Sequence, residues 1–201
     1  MKKTRKPIAL LLSVLLVLAM FAPLHVVSFA EGETEPPAQP EATILETDNC
    51  GADGSDVRYT LYSDGALKVE GMGAIRDGAF ENRSDLKTAV VEEGITAIGK
   101  NAFANTALET IDLPASLTVI DEGAFRSCAE LTAVTGAEAM EEIRDEAFYN
   151  DRKLQAIAFP ETLRIIGARA FWYNYKLYLA LDGSTLHLSE NLERLGYDAF
   201  I

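Results

Sequence analysis

Six Ala-Phe pairs mark a near-regular step between residues 79 and 200: Ala79-Phe80, Ala102-Phe103, Ala124-Phe125, Ala147-Phe148, Ala170-Phe171 and Ala199-Phe200. Successive pairs lie 23, 22, 23, 23 and 29 residues apart. A near-constant period of this size constrains the fold more than any other feature. One unit of about 23 residues cannot bury its apolar face alone, so copies must stack and share a continuous core. Aligned on the pair, the copies follow one template: Ile-x-x-x-Ala-Phe, a leucine, three steps to an isoleucine, Leu-Pro, Leu and Ile-Gly. The second copy supplies Ile98, Ala102, Phe103, Leu108, Ile111, Leu113, Pro114, Leu117 and Ile120. The fourth supplies Ile143, Ala147, Phe148, Leu154, Ile157, Phe159, Pro160, Leu163 and Ile166, and the looser third has Gly136 in place of a leucine.

Around Ile111-Asp112-Leu113 each copy alternates apolar with polar residues, the pattern of a half-buried strand, and the following proline stops the ladder. The Ala-Phe segment reads as a short turn in which Ala permits close approach and Phe fills the interior. Ahead of the first copy, Val57 to Leu61 alternates, Ser63-Asp64-Gly65 turns, and Leu67-Lys68-Val69 returns. That is a hairpin placed to cap the open end of the stack.

The motifs "AFRSCAELTAV" and "LPASLTVIDEGAF" resemble the BspA-type leucine-rich repeats of bacterial surface proteins, and "CGADGSDVRYTLYSDGALKVEGMGAI" resembles the stretch that introduces such arrays. The resemblance runs from about Cys50 to Ile201. It implies a leucine-rich repeat solenoid with a short parallel strand in each 22–23-residue repeat, an N-terminal capping hairpin, and a non-enzymatic role in adhesion or protein–protein contact at the cell surface. Two departures stand out. About six extra residues fall between Leu177 and Leu186, and the chain stops one residue after the sixth pair, as expected of a piece of a longer protein.

The N-terminus carries Lys2, Lys3, Arg5 and Lys6, then an uncharged apolar run from Ile8 to Leu24, then Ser28 and Ala30 ahead of Glu31. This order is that of an export signal occupying residues 1–30, cleaved before Glu31. The apolar run is nearly long enough to span a membrane, but Pro23 and the cleavage-like small residues oppose an uncleaved anchor. Residues 31–47, rich in Pro and Glu, read as a flexible acidic linker. Residues 48–74 form the expected cap and residues 75–201 the repeats. Loss of the leader leaves 14 basic against 31 acidic residues, a net charge of −17. Such a chain repels nucleic acid and anionic membrane surfaces.

Motifs for chemistry are scarce. After leader removal His187 is the sole histidine, which excludes two-histidine zinc motifs, and it sits in an alternating Leu-His-Leu stretch with no nucleophile elbow. Ser84-Asp85-Leu86-Lys87 matches Ser-x-x-Lys, but Leu86 is already a repeat position and the partner motifs are missing. Asp48, Asp53 and Asp56 lack EF-hand spacing. Cys50 and Cys128 are too few for a disulfide framework, and Cys50 precedes the first coil while Cys128 lies in the third, so free thiols are expected. No enzyme activity, cofactor or metal is therefore assigned.

Departures from the template indicate where a partner would touch. The two positions after each phenylalanine are polar or small in early copies: Glu81-Asn82, Ala104-Asn105 and Arg126-Ser127. In later copies they become Tyr149-Asn150 and Trp172-Tyr173. Stacking sets Tyr149 beside Trp172, with Tyr173, Tyr175 and Tyr178 near, and exposed aromatics of this kind supply binding hot spots. The outward strand columns are smoother: Thr88, Thr110, Ala133, Ala156 and Thr185 in one, and Val90, Asp112, Thr135, Ala158 and His187 in the other. Candidate ligand-binding residues are thus Tyr149, Trp172, Tyr173, Tyr175, Tyr178, Asp112, Thr135 and His187. The expected partner is a host or matrix protein or glycan, with the oligomeric state left open. The alternatives are an N-terminal recognition module of a larger secreted enzyme, or a spacer that binds nothing.

Overall fold

The computed structural model describes residues 41–180 and 188–201. The expected leader, residues 31–40 of the expected linker, and Thr185 and His187 lie outside the described residues.

The chain enters as an antiparallel ribbon of three strands, β1 (Ile44–Asn49), β2 (Asp56–Tyr62) and β3 (Ala66–Ile75). The hairpin of β2 and β3 turns at Ser63-Asp64-Gly65, where Gly65 has φ of 88° and the Asp64 carboxylate accepts the Ala66 N–H at 3.0 Å. The third strand corrects the sequence reading of residues 31–47: β1 begins at Ile44, within the stretch taken as linker. What holds it is distant. Glu46 forms an ion pair with Arg83 at 2.8 Å and accepts the Tyr59 hydroxyl proton, while β1 pairs along its length with β2.

β3 is longer than the hairpin requires because it belongs to two sheets. Ala66–Val69 pairs in parallel with β4 (Thr88–Val91), and Gly73–Ile75 pairs in parallel with β5 (Ile95–Ile98). Gly71, at φ of 125°, makes the bend between the two halves; a Cβ there would meet the Asp56 carbonyl oxygen at 1.9 Å. From this strand both sheets propagate, one coil at a time. The first sheet continues through β6 (Thr110–Leu113), β8 (Ala133–Gly136) and β10 (Ala156–Ile157). The second continues through β7 (Val119–Ile120), β9 (Glu142–Ile143), β11 (Ile165–Ile166) and β12 (Arg194–Leu195). Each of the first four coils therefore carries two short parallel strands where the sequence reading had one. The described part of the fifth coil holds a short helix, α1 (Tyr175–Ala180), and the strand β12.

Between the sheets runs a column of rings. Phe80, Phe103, Phe125, Phe148, Phe171 and Phe200 stack with centroids 4.9, 5.3, 5.1, 5.1 and 5.1 Å apart. Tyr59 from the cap closes the column edge-on, 5.1 Å from Phe80 at 86°. Beside the rings, Leu86, Leu108, Leu131 and Leu154 form one fully buried row and Ile98, Ile120, Ile143 and Ile166 another. Burying each such side chain contributes roughly 1.5–3 kcal/mol before the entropy of ordering is set against it.

The turns holding the rings recur in detail. Two positions flanking each phenylalanine, two before and two after it, have positive φ: Asn101 and Asn105 at 54° and 57°, Gly123 and Ser127 at 63° and 60°, Glu146 and Asn150 at 56° and 66°. That twist points the N–H groups of both positions, and of the phenylalanine between them, at the carbonyls of the next coil. Asn101 donates to Glu122, Phe103 to Ala124 and Asn105 to Arg126, at 3.0, 2.8 and 2.8 Å. Coils are thus joined through backbone on the turn side as well as through the two sheets.

Cys50 and Cys128 are free and fully buried, and burial pushes their thiols up to about 11 and about 12.

Candidate functional site

Because the two residues after each ring lie outside the column, whatever occupies them lines up at one-coil intervals on the turn side. In the second coil these residues are Ala104 and Asn105; in the fifth they are Trp172 and Tyr173. The second of the pair must adopt the left-handed conformation to donate its N–H onward, a geometry that asparagine tolerates and larger residues resist. Asn82, Asn105, Ser127 and Asn150 meet that demand with small polar side chains. Tyr173 sits there at φ of 64°, its N–H donating to Ile201 at 2.6 Å. A bulky aromatic has been placed where the backbone disfavours it by about 1 kcal/mol or more.

The rings come together as the register requires. Trp172 meets Tyr149 edge-on at 5.5 Å and 88°, and lies 5.1 Å from Tyr173 at 30°. Tyr173 is 6.1 Å from Tyr149 and 5.8 Å from Tyr175. Tyr149 and Trp172 are half-buried, whereas Tyr173 and Tyr175 are 36% and 53% exposed. The side chain of Tyr178 lies outside the described residues.

Two arginines and a further tyrosine, absent from the sequence reading of the site, complete this ridge. Arg126 lies over the Tyr149 ring at 5.1 Å; Arg169 lies over Trp172 at 5.5 Å and over Tyr197 at 5.7 Å. Between the guanidinium groups stands Glu146, paired with Arg126 at 3.0 Å and Arg169 at 2.6 Å, its side chain only 19% exposed. The arginines occupy ring faces and hold the inner aromatics in place through cation–π contacts. The outward rings, Tyr173, Tyr175 and Tyr197, remain open to solvent, Tyr197 at 66%. An arrangement of this kind can bury aromatic surface against a partner while its hydroxyls and arginine edges make hydrogen bonds.

Asp112 and Thr135 lie elsewhere. They are register partners on the outer face of β6 and β8, where the Thr135 hydroxyl donates to Asp112 Oδ1 at 2.7 Å. No ring contact among the described residues joins them to the ridge. A separate cleft of about 570 Å³ is lined by Glu141, Glu161, Thr162, Arg164, Asn191 and Glu193. Arg164 crosses it to hold Glu193 through two hydrogen bonds of 2.8 and 2.9 Å. Among the described residues no group of three or more His, Cys, Asp or Glu side chains is placed to hold a metal ion.

Residues 68–178 match the family model of the BspA type leucine rich repeat region, a six-copy pattern. Among solved structures the chain is similar to a leucine-rich repeat protein of T. pallidum at 21% identity and a TM-score of 0.50, over 59% of this chain and 64% of that one. A leucine-rich repeat protein of Eubacterium ventriosum gives 24% identity and a TM-score of 0.50, over 64% of this chain and 35% of that one. The matched part is less than two thirds of either chain, and at these identities the likeness concerns the fold. No curated protein matches the chain.

Proposed function

Because the chain belongs to the BspA-type leucine-rich repeat family, we propose that it is an exported recognition protein that contacts a host or matrix protein through the aromatic ridge of its fourth and fifth coils. The leader of residues 1–30 directs export and is cleaved before Glu31. The acidic linker then holds the repeats clear of whatever surface lies behind them. The role is binding rather than catalysis.

One observation carries this reading. Tyr173 departs from the small polar residue at its position in the earlier coils and does so at a backbone conformation that resists it, and with Tyr175 and Tyr197 it stands open to solvent beside the half-buried Trp172. Strain retained at an exposed aromatic is what a binding surface explains and what packing alone does not.

The repeat itself provides the control. Trp172→Ala with Tyr173→Asn converts Phe171-Trp172-Tyr173 into the second coil's Phe103-Ala104-Asn105, a sequence known to suit the turn. Binding to a panel of immobilised matrix proteins and glycans is measured for the chain and for this variant, with circular dichroism as the control for folding. Saturable binding to a protein, lost in the folded variant, supports the proposal. Saturable binding to a glycan alone assigns the ridge to sugar, and binding unaffected by the variant places the site elsewhere.

A further inference from the structure

The third position after the phenylalanine carries a buried polar side chain in four successive coils: Thr106, Cys128, Asp151 and Asn174. They form a seam along the ring column, and the last three are entirely shielded from solvent. Two of them use their side chains alike. Cys128 Sγ donates to the carbonyl of Phe103 at 3.0 Å, and Asn174 Nδ2 donates to the carbonyl of Phe148 at 2.7 Å. In each case the acceptor is the phenylalanine of the preceding coil.

Asp151 stands between them in the same register, so the matching carbonyl is that of Phe125. One of its oxygens is accounted for, since Oδ1 accepts the Cys128 N–H at 2.7 Å. The other, Oδ2, is buried and receives no donor. An ionised Asp151 would set an acceptor where both neighbours set a donor, at a position wholly shielded from solvent. It would also bury a full charge without a counter-ion, a cost no side chain here offsets. From the coil before, Cys128 reaches it through its N–H, and the matching position on the coil after is Asn174; of these only Cys128 titrates.

We infer that Asp151 folds as the neutral acid, with Oδ2–H donating to the Phe125 carbonyl, and that a proton is therefore a structural part of the joint between the third and fourth coils. Burial drives the Asp151 carboxyl in the required direction, well above the ordinary carboxylate range. It also keeps the Cys128 thiol neutral, pushed up to about 12. The sign of the dependence follows. In the unfolded chain the carboxyl ionises near pH 4, while in the folded chain it stays protonated to higher pH, so the contribution is complete below pH 4 and declines as pH rises toward the folded value. The ridge stands on this joint. Asn150, adjacent to Asp151, donates its N–H to Trp172 at 2.7 Å, and Tyr149 is one residue further back.

Asp151→Asn is the decisive variant, because asparagine supplies at 151 the Nδ2 donor that Asn174 uses one coil later and keeps an oxygen for the Cys128 N–H. Urea unfolding of the full chain and of the variant is followed from pH 4 to pH 8, and infrared spectra of both are taken at pH 7. The folding equilibrium constant of Asp151→Asn should gain on the parent by up to about tenfold per pH unit above the unfolded carboxyl value. The parent should show a protonated-carboxyl stretch at pH 7 that the variant lacks. A pH-independent gap overturns the inference, as does parent stability that rises with pH on adding a cation, which marks a paired carboxylate. If the variant does not fold, the parent spectrum decides: a protonated-carboxyl band at pH 7 supports the inference and its absence refutes it.

Discussion

Replacing Phe125 by alanine removes a ring from the middle of the column, where it is wholly buried and stacks at 5.3 Å on Phe103 and at 5.1 Å on Phe148. Truncations of this kind cost about 3–5 kcal/mol through lost transfer energy and the cavity left behind. Two aromatic pairs, each worth about 0.5–1.5 kcal/mol, are broken at once, which places Phe125→Ala near the top of that range. Phe200 is the natural comparison. It is half-buried and stacks on one ring of the column, Phe171 at 5.1 Å, with Phe159 edge-on at 6.1 Å. Its truncation should cost about half as much, near 2 kcal/mol. Urea unfolding monitored by circular dichroism distinguishes the two. With a slope of about 2 kcal/mol per molar, the midpoint should fall by about 2 M for Phe125→Ala and about 1 M for Phe200→Ala. Equal losses, or a greater loss at Phe200, would refute the view that the column is held by nearest-neighbour ring contacts.

Both cysteines should resist a thiol reagent in the folded chain at pH 8 and react fully in urea, since burial raises their thiols to about 11 and about 12; rapid reaction of the native protein would contradict their placement in the core. The Tyr59 hydroxyl and Arg83 hold the Glu46 carboxyl below its usual value. Its contribution is therefore present above about pH 4.5 and is lost as pH falls through the lower folded value. Glu46→Gln should abolish that acid-side loss, which solvent screening limits to about 0.5–1 kcal/mol, and an unchanged acid limb in the unfolding profile would argue against the clasp.

The ring column, the leucine row and the first strand of each coil were legible because each rests on spacing alone. Phe103, Leu108 and Ile111 recur at their offsets whatever surrounds them. The second sheet was not legible, because Val119–Ile120 and Ile165–Ile166 are two residues long and cannot display an alternation. Its trace was the Ile-Gly step: a Cβ on Gly99 would lie 2.6 Å from the Ile75 carbonyl oxygen, so the chain there passes tightly against the preceding coil. β1 escaped notice for another reason. Ile44–Asn49 is mostly exposed, and its hold comes from β2 and from Arg83, partners remote in sequence. At the ridge the register alone predicted Tyr149 beside Trp172. Arg169 and Tyr197 join them because they precede the rings of the fifth and sixth coils, an adjacency visible only after the turn geometry is known. Asp151 could have been singled out from the sequence as the one acid among Thr106, Cys128 and Asn174, but only its depth in the interior gives that position meaning.

The apposition of Tyr149 and Trp172 has a consequence for how such a surface arises. Its two members are 23 residues apart, the same step that separates Phe148 from Phe171. The ridge is therefore written in the period of the scaffold itself. Duplicating or deleting one whole repeat shifts or lengthens the surface by one coil and leaves every ring with a neighbour to stack on. Unequal recombination within the coding sequence can thus remodel this surface in steps of one coil, without first solving a new folding problem.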